Sequence, residues 1–137
     1  AKCATCHFIP LFNGLVPPGY AETESEVLGV PGSKKKNPAM LDEDLGKFNF
    51  TKSVIHKYSF KTPTLRNIEL TAPYMHNGVY TTLEEVMEFY NNGGGKGLHI
   101  APPNQTLPFE KLNLTAKEIK DVISFMKALT DTSNYSK

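Results

Sequence analysis

The sequence predicts a mainly α domain interrupted by long irregular segments, and three observations point there. Two stretches, 82–90 and 115–129, combine a capping box with an apolar period of 3.6 residues. Glycine and proline, 10 of each in 137 residues, gather outside those stretches and break regular structure there. Both cysteines fall in one short motif at the start, Cys3-Ala4-Thr5-Cys6-His7. The length suits one domain, residues 1–137, with a modest core.

The motif reads C-x-x-C-H, the attachment signature of a c-type haem. Two thiols at that spacing can bond the two vinyl edges of a porphyrin, and the adjacent imidazole of His7 then reaches the iron from one face. Two other chemistries compete. A thioredoxin-like pair belongs inside a βαβ pattern, and none is visible. A zinc site needs further ligands at compact spacing, whereas His56, His76 and His99 are scattered singly. Covalent haem c on Cys3 and Cys6, with His7 as an axial ligand, is therefore the expectation. Such haems are attached outside the energy-transducing membrane, which points to the periplasm. Most c-type domains place a helix before this motif, so the sequence is expected to be a mature or trimmed piece of something longer.

A formal net charge of +1 argues against nucleic acid as a main partner. No apolar run reaches membrane-spanning length, and no signal peptide pattern is present. The run Lys34-Lys35-Lys36 reads as a solvated loop, or more sharply as a docking patch for an acidic redox partner.

Taken in order, residues 3–8 should form a short helix, because His7 must stand over the haem plane one turn after Cys3. Residues 9–40 read as an irregular segment wrapping the haem edge, with Phe8, Ile9, Leu11, Phe12, Leu15 and Val16 as its apolar contacts. Asp42-Glu43-Asp44-Leu45-Gly46 reads as a helical turn opened by acidic residues and closed by glycine. Phe48, Phe50, Val54, Ile55, Tyr58 and Phe60 fit a short strand pair or an extended stretch. Pro63 can open a short helix carrying Leu65 and Ile68. Ala72-Pro73 ends regular structure, and Asn77-Gly78 signals a turn.

Thr82 and Glu85 form the first capping box, and Leu83, Val86, Met87 and Tyr90 lie on one face of the helix it opens. Asn91-Asn92 and the glycines from Gly93 end it, and residues 93–113 read as a surface loop. Thr115 and Glu118 form the second box, flanked by a Leu114–Ile119 staple. The helix continues through Val122, Ile123, Met126 and Leu129, and a polar tail, 133–137, closes the chain.

The sixth iron ligand is open on these grounds. Met40, Met75, Met87, Met126, Tyr90, His56, His76 and His99 are candidates. Met126 and Met87 lie on apolar helix faces and read as core. Met75, in a turn between aromatic residues, leads, with Tyr90 and Met87 behind.

Several stretches together resemble a known family. Phe60-Lys61-Thr62-Pro63-Thr64-Leu65-Arg66-Asn67, Leu70-Thr71-Ala72-Pro73-Tyr74-Met75-His76-Asn77-Gly78, Thr82-Leu83-Glu84-Glu85 and the upstream Asp44-Leu45-Gly46-Lys47-Phe48 resemble the second, C-terminal haem domain of bacterial dihaem cytochrome c peroxidases and MauG-type enzymes. The resemblance covers most of the chain and implies a cytochrome-c-like haem domain with long irregular loops. It implies an electron-transfer role, relaying electrons to or from a peroxidatic haem in an N-terminal domain of the same protein. No catalytic residue is then expected in this domain, and the domain alone is not expected to turn over peroxide. The alternative is a self-standing monohaem electron carrier. The resemblance also implies calcium between the domains, bound partly by backbone carbonyls of Thr71 and Pro73. It moves the sixth ligand to Tyr90, nineteen residues beyond Thr71, with Met75 the alternative. Arg66 is a candidate partner for a haem propionate. A small redox donor, a cytochrome or cupredoxin, is the expected external partner, and a homodimer is also admitted.

Overall fold

The computed structural model describes residues 3–35 and 38–133. Lys36 of the basic run and residues 134–137 of the tail lie outside them. Three helices, α1 Phe48–Thr51, α2 Leu83–Asn91 and α3 Ala116–Ala128, are joined by irregular chain. Four 3-10 turns, Cys3–Thr5, Val54–His56, Ile68–Leu70 and Gly94–Lys96, and one antiparallel pair complete the described elements. In that pair β1 Ser25–Glu26 runs against β2 Phe60–Lys61, with Glu26 opposite Phe60. The helices are the longest regular elements, but irregular segments outweigh them, so "mainly α" overstates the helical content.

Both predicted capping boxes form. Thr82 Oγ1 accepts from the Glu85 amide at 3.2 Å, and a Glu85 carboxylate oxygen accepts from the Thr82 amide at 3.3 Å. At α3 the Glu118 amide donates to Thr115 Oγ1 at 3.3 Å, and the Thr115 amide donates to Glu118 at 2.8 Å. Each box satisfies amides that the first helical turn leaves without a partner.

The apolar faces of α2 and α3 meet in the core. Leu83, Met87 and Phe89 from α2, and Ile123 and Met126 from α3, are buried with Val30, Tyr74 and Tyr80. Leu114 and Ile119, the predicted staple, pack against this cluster, as do Tyr90, Met75 and Ile68. Phe89 was not on the predicted face. It enters the core from beside it, with its ring 5.5 Å from that of Tyr80.

Three local expectations are corrected. Residues 42–46 are not a helical turn. Asp42 Oδ1 accepts from the Asp44 amide at 3.0 Å, and Asp44 Oδ1 accepts from the Gly46 amide at 2.9 Å. These side-chain turns offer the backbone amides a rival to helical bonding. Gly46 has φ 58°, and a Cβ there would overlap the Ser59 carbonyl. Helix α1 starts only after it. No helix opens at Pro63 either; the helical residues are Ile68–Leu70. Finally, 93–113 is not simply a surface loop. Gly93, Gly94, Gly95, Pro102 and Gln105 are buried. The Gly95 amide donates to the Leu28 carbonyl at 2.9 Å, and the Gln105 amide group donates to the Gly93 and Leu107 carbonyls at 3.1 and 3.0 Å. The Thr106 amide reaches the Val27 carbonyl at 3.0 Å. A Cβ on Gly95 would come within 2.7 Å of the Gly29 oxygen, so this seam needs glycine.

Candidate haem site

The Cys3–Thr5 turn closes through the His7 amide, which donates to the Cys3 carbonyl at 2.9 Å. That brings His7 back over the first cysteine, one turn later, as the motif requires. His7 Nδ1 lies 3.1 Å from the Pro63 carbonyl. A carbonyl only accepts, so Nδ1 carries the proton and Nε2 keeps its lone pair. Burial, the largest influence, pushes the His7 pKa below the ordinary value, although carbonyl contacts at Pro63 and Phe12 oppose it. The ring is thus held neutral, in one tautomer and one orientation, which is the form a metal binds.

Cys3 is exposed and Cys6 half-buried, and neither forms a disulfide. Cys6 Sγ donates to Glu26 Oε1 at 3.4 Å. Burial foremost, with Glu26 and Glu24 adding to it against the Thr5 contact, raises the Cys6 pKa to about 11. At neutral pH Cys6 is therefore a protonated thiol.

Two carboxylates here escaped the sequence analysis. Glu24, Glu26 and Cys6 hold their ligand atoms within 4.8 Å of one another. Burial, then the hydrogen bond and charge of Glu26, raise the Glu24 pKa. Thr106 Oγ1 donates to Glu26 in a short hydrogen bond. The available signal was the alternation Glu24-Ser25-Glu26, which puts both carboxylates on one side of an extended chain.

Tyr90 comes from α2. It is partly buried, edge-on to Phe89 with ring centroids 5.8 Å apart. Burial pushes its pKa far up, and Cys6, Cys3 and Glu26 add to the shift. The other candidates lie as follows. Met87 and Met126 are buried in the core. Met40 is 54% exposed. Met75, at φ 69°, packs against the core from the 74–80 turn. The His76 ring stacks on Phe60, centroids 3.6 Å apart, and its Nε2 meets Asp42 Oδ1 at 3.1 Å. His56 Nδ1 pairs with Thr51 Oγ1 at 2.9 Å, and His99 is exposed.

Arg66 is exposed. Its Nη2 donates to the Pro10 carbonyl at 3.1 Å, and its guanidinium lies 5.6 Å from the Phe12 ring centroid. Among the described residues it has no carboxylate partner. Thr71 and Pro73 are exposed, and their carbonyls accept no hydrogen bond among the described residues. The Thr71 hydroxyl is spent on the Ile68 carbonyl at 3.1 Å.

This donor set fits a c-type haem. It offers two thiols, a neutral imidazole with Nε2 unprotonated, the partly buried phenol of Tyr90, and the partly buried apolar residues Phe8, Leu11, Phe12 and Leu15 beside the motif. Relatives define the class. The chain is 35% identical to cytochrome-c peroxidase IdrP1 of Denitromonas iodatirespirans, over 96% of this chain and 38% of the peroxidase. It is 39% identical to cytochrome-c peroxidase IdrP2 of Pseudomonas sp. (strain SCT), over 95% and 36% respectively. Against cytochrome c551 peroxidase of Nitrosomonas europaea the identity is 31%, over 93% and 30%. No family model matches the sequence. A crystal structure of a MauG-like protein associated with microbial copper homeostasis superposes with a TM-score of 0.73 at 30% identity, covering 96% of this chain and 43% of that one.

These are haem redox proteins, and the fold is cytochrome-c-like. The chain belongs to the cytochrome-c peroxidase and MauG family. It spans a little over a third of the length of the IdrP1 and IdrP2 peroxidases. No described helix is long and apolar enough to cross a membrane.

Proposed function

We propose that this chain is the electron-transfer haem domain of a dihaem cytochrome c peroxidase or MauG-like oxidase. It relays electrons to or from a peroxidatic haem held in an N-terminal domain of the same protein. One observation carries the reading: the histidine of the C-x-x-C-H motif, His7, is tethered to the Pro63 carbonyl through Nδ1 at 3.1 Å, which leaves Nε2 unprotonated for a metal. Cys3 and Cys6 would hold the haem covalently, and His7 and Tyr90 would take its two axial positions.

A bound haem supplies a one-electron iron couple. The chain's residues tune it. The Pro63 carbonyl fixes the His7 ring and strengthens it as a donor. As a ligand Tyr90 would be the phenolate, because a nearby cation favours the anion. An anionic oxygen favours ferric iron over ferrous, opposite to a thioether, and so lowers the potential. O–O bond cleavage would belong to the partner domain, as the family resemblance implies.

The remaining assignments follow from the same family. Calcium would bind between the domains through the open carbonyls of Thr71 and Pro73, since carbonyl oxygens suit a hard cation. Arg66, beside the loop that follows His7, would face a propionate. The location is periplasmic, and a cytochrome or cupredoxin is the external donor. The alternative, a self-standing monohaem carrier, makes no use of those carbonyls.

The test is an alkaline pyridine spectrum of the purified holoprotein, combined with a potentiometric titration. A c-type spectrum with a low-potential couple, and a second C-x-x-C-H upstream in the gene, are expected. A single motif in the gene favours the monohaem carrier, and the absence of a haem spectrum overturns both.

A further inference from the structure

The chain's positive charge is not evenly spread. Between residues 47 and 61 stand Lys47, Lys52, Lys57 and Lys61, and no Asp or Glu. The whole chain carries only +1, so the remainder is net negative. Among the described residues none of these four lysines forms an ion pair. Instead they gather around aromatic surface: the Lys52 and Lys57 ammonium groups lie 5.9 and 5.4 Å from the Phe48 ring centroid.

The same stretch exposes its apolar side chains. Phe50 is 89% exposed, Ile55 72% and Val54 69%. Monomer surfaces scatter single apolar residues, but clustered large ones inside a charged rim mark a contact surface. Beside Phe50 a hollow of about 420 Å³ opens between Lys47, Phe60 and Lys61. The one carboxylate lining it, Asp44, is turned to its own loop, accepting from the Gly46 amide and the Asn49 side chain.

This surface adjoins the candidate haem site. Phe60 is paired with Glu26, and Glu26 accepts from Cys6 Sγ at 3.4 Å. The lysine rim is thus one strand pair away from the attachment motif.

We propose that residues 47–61 form the docking surface for a soluble electron-carrier protein whose redox edge is apolar and rimmed by carboxylates. The proposal rests on the relay reading above. Charge complementarity selects the occupant. Interfaces are depleted in lysine at their centre and polar at their rim, and here the lysines flank the exposed Phe50, Val54 and Ile55. Unpaired lysines around a small apolar patch suit a brief encounter, where opposite charge steers approach and exposed apolar groups seat the pair. The hollow beside Phe50 favours a protein projection over a flat lipid surface. One electron passes from the reduced carrier, which is oxidised, to the ferric haem of this chain, which is reduced; no bond is made or broken.

The test uses the full-length holoprotein and two reduced low-potential probes, an acidic plant-type 2Fe–2S ferredoxin and a basic low-potential c-type cytochrome. Stopped-flow reduction of this haem should be faster with the acidic probe, and should fall steeply as salt rises from about 10 to about 300 mM. In the triple variant Lys47→Glu, Lys57→Glu, Lys61→Glu the acidic probe should slow by about tenfold or more, with dithionite reduction unchanged. Phe50→Ser should slow it at all salt concentrations. Zero-length carbodiimide coupling should link the acidic probe's carboxylates to Lys47, Lys52, Lys57 or Lys61 in mapped peptides, a readout independent of the haem. Fast reduction that ignores these variants, with cross-links elsewhere, overturns the surface and leaves the relay standing. Reduction by dithionite but by neither carrier overturns the relay reading and the surface with it. Capture by anionic phospholipid vesicles that the triple variant abolishes, with carrier rates unmoved, makes the patch a membrane contact and overturns the proposal.

Discussion

Between residues 82 and 128, two capping boxes close both helix starts, and the apolar faces of α2 and α3 bury each other. Among the described residues between 3 and 62, Val27, Val30 and Pro31 are the buried apolar side chains, while Ile9, Met40, Phe50, Val54 and Ile55 are more than half exposed. Hydrogen bonds there run from loop to loop: His7 to Pro63, Thr106 to Val27, Asn104 to the Ile55 and Lys57 carbonyls. One region is a small helical core, completed by Val30, Tyr74 and Tyr80 from outside it. The other is a frame whose order is set by distant partners and whose chemistry-bearing residues surround the C-x-x-C-H motif. Tyr90 belongs to the first and packs against its core.

That contrast can be broken by unequal mutational costs. Phe89→Ala, inside the helical core, should cost about 3–5 kcal/mol of stability in chemical denaturation. Phe50→Ser, in the frame, should change it by no more than about 0.5 kcal/mol. Comparable losses at the two positions would deny the core its separate status. Thr82→Ala and Thr115→Ala should each remove about 1 kcal/mol, because each leaves helix amides without an acceptor. Amide exchange in the first turns of α2 and α3 would report the loss site by site.

The smallest effect concerns pH. Glu85 bonds Lys34 at 2.6 Å and the amides of Thr81 and Thr82. The Lys34 contact foremost, then the Thr81 amide, lowers its pKa from 4.5 to about 2. The folded protein therefore holds this carboxylate charged where the unfolded chain protonates it. Its contribution is complete above pH 4.5 and disappears as pH falls toward 2. Glu85→Gln should flatten the acid limb of the stability profile in that window and leave the neutral region parallel to wild type. An unchanged acid limb would remove Glu85 from the helix start.

The helical region was legible because its signals are local. Thr82 with Glu85, Thr115 with Glu118, and the apolar spacing of each helix act within two turns. The frame was legible only at its motif. Consecutive Asx turns at Asp42 and Asp44 displaced the expected helical turn, since short polar side chains compete for backbone amides. The burial of 93–113 depends on backbone approach between Gly95 and Gly29, a contact across 66 residues that composition does not report. Met75 led the residue-based ranking of sixth ligands, and only the family resemblance favoured Tyr90. Glu24 and Glu26 were missed because two residues of alternation on so short a strand give no statistical signal.

In the proposed reading the helical core would supply Tyr90 to the iron that His7 also ligates. The ferric absorption and electron paramagnetic resonance spectra of the haem-loaded protein test it most directly, compared among wild type, Tyr90→Phe and Met75→Leu. Tyr90→Phe should change the ferric spectrum and raise the potential, while Met75→Leu leaves both as they are. A changed spectrum in Met75→Leu with an unaltered Tyr90→Phe would put the methionine on the iron and contradict the claim.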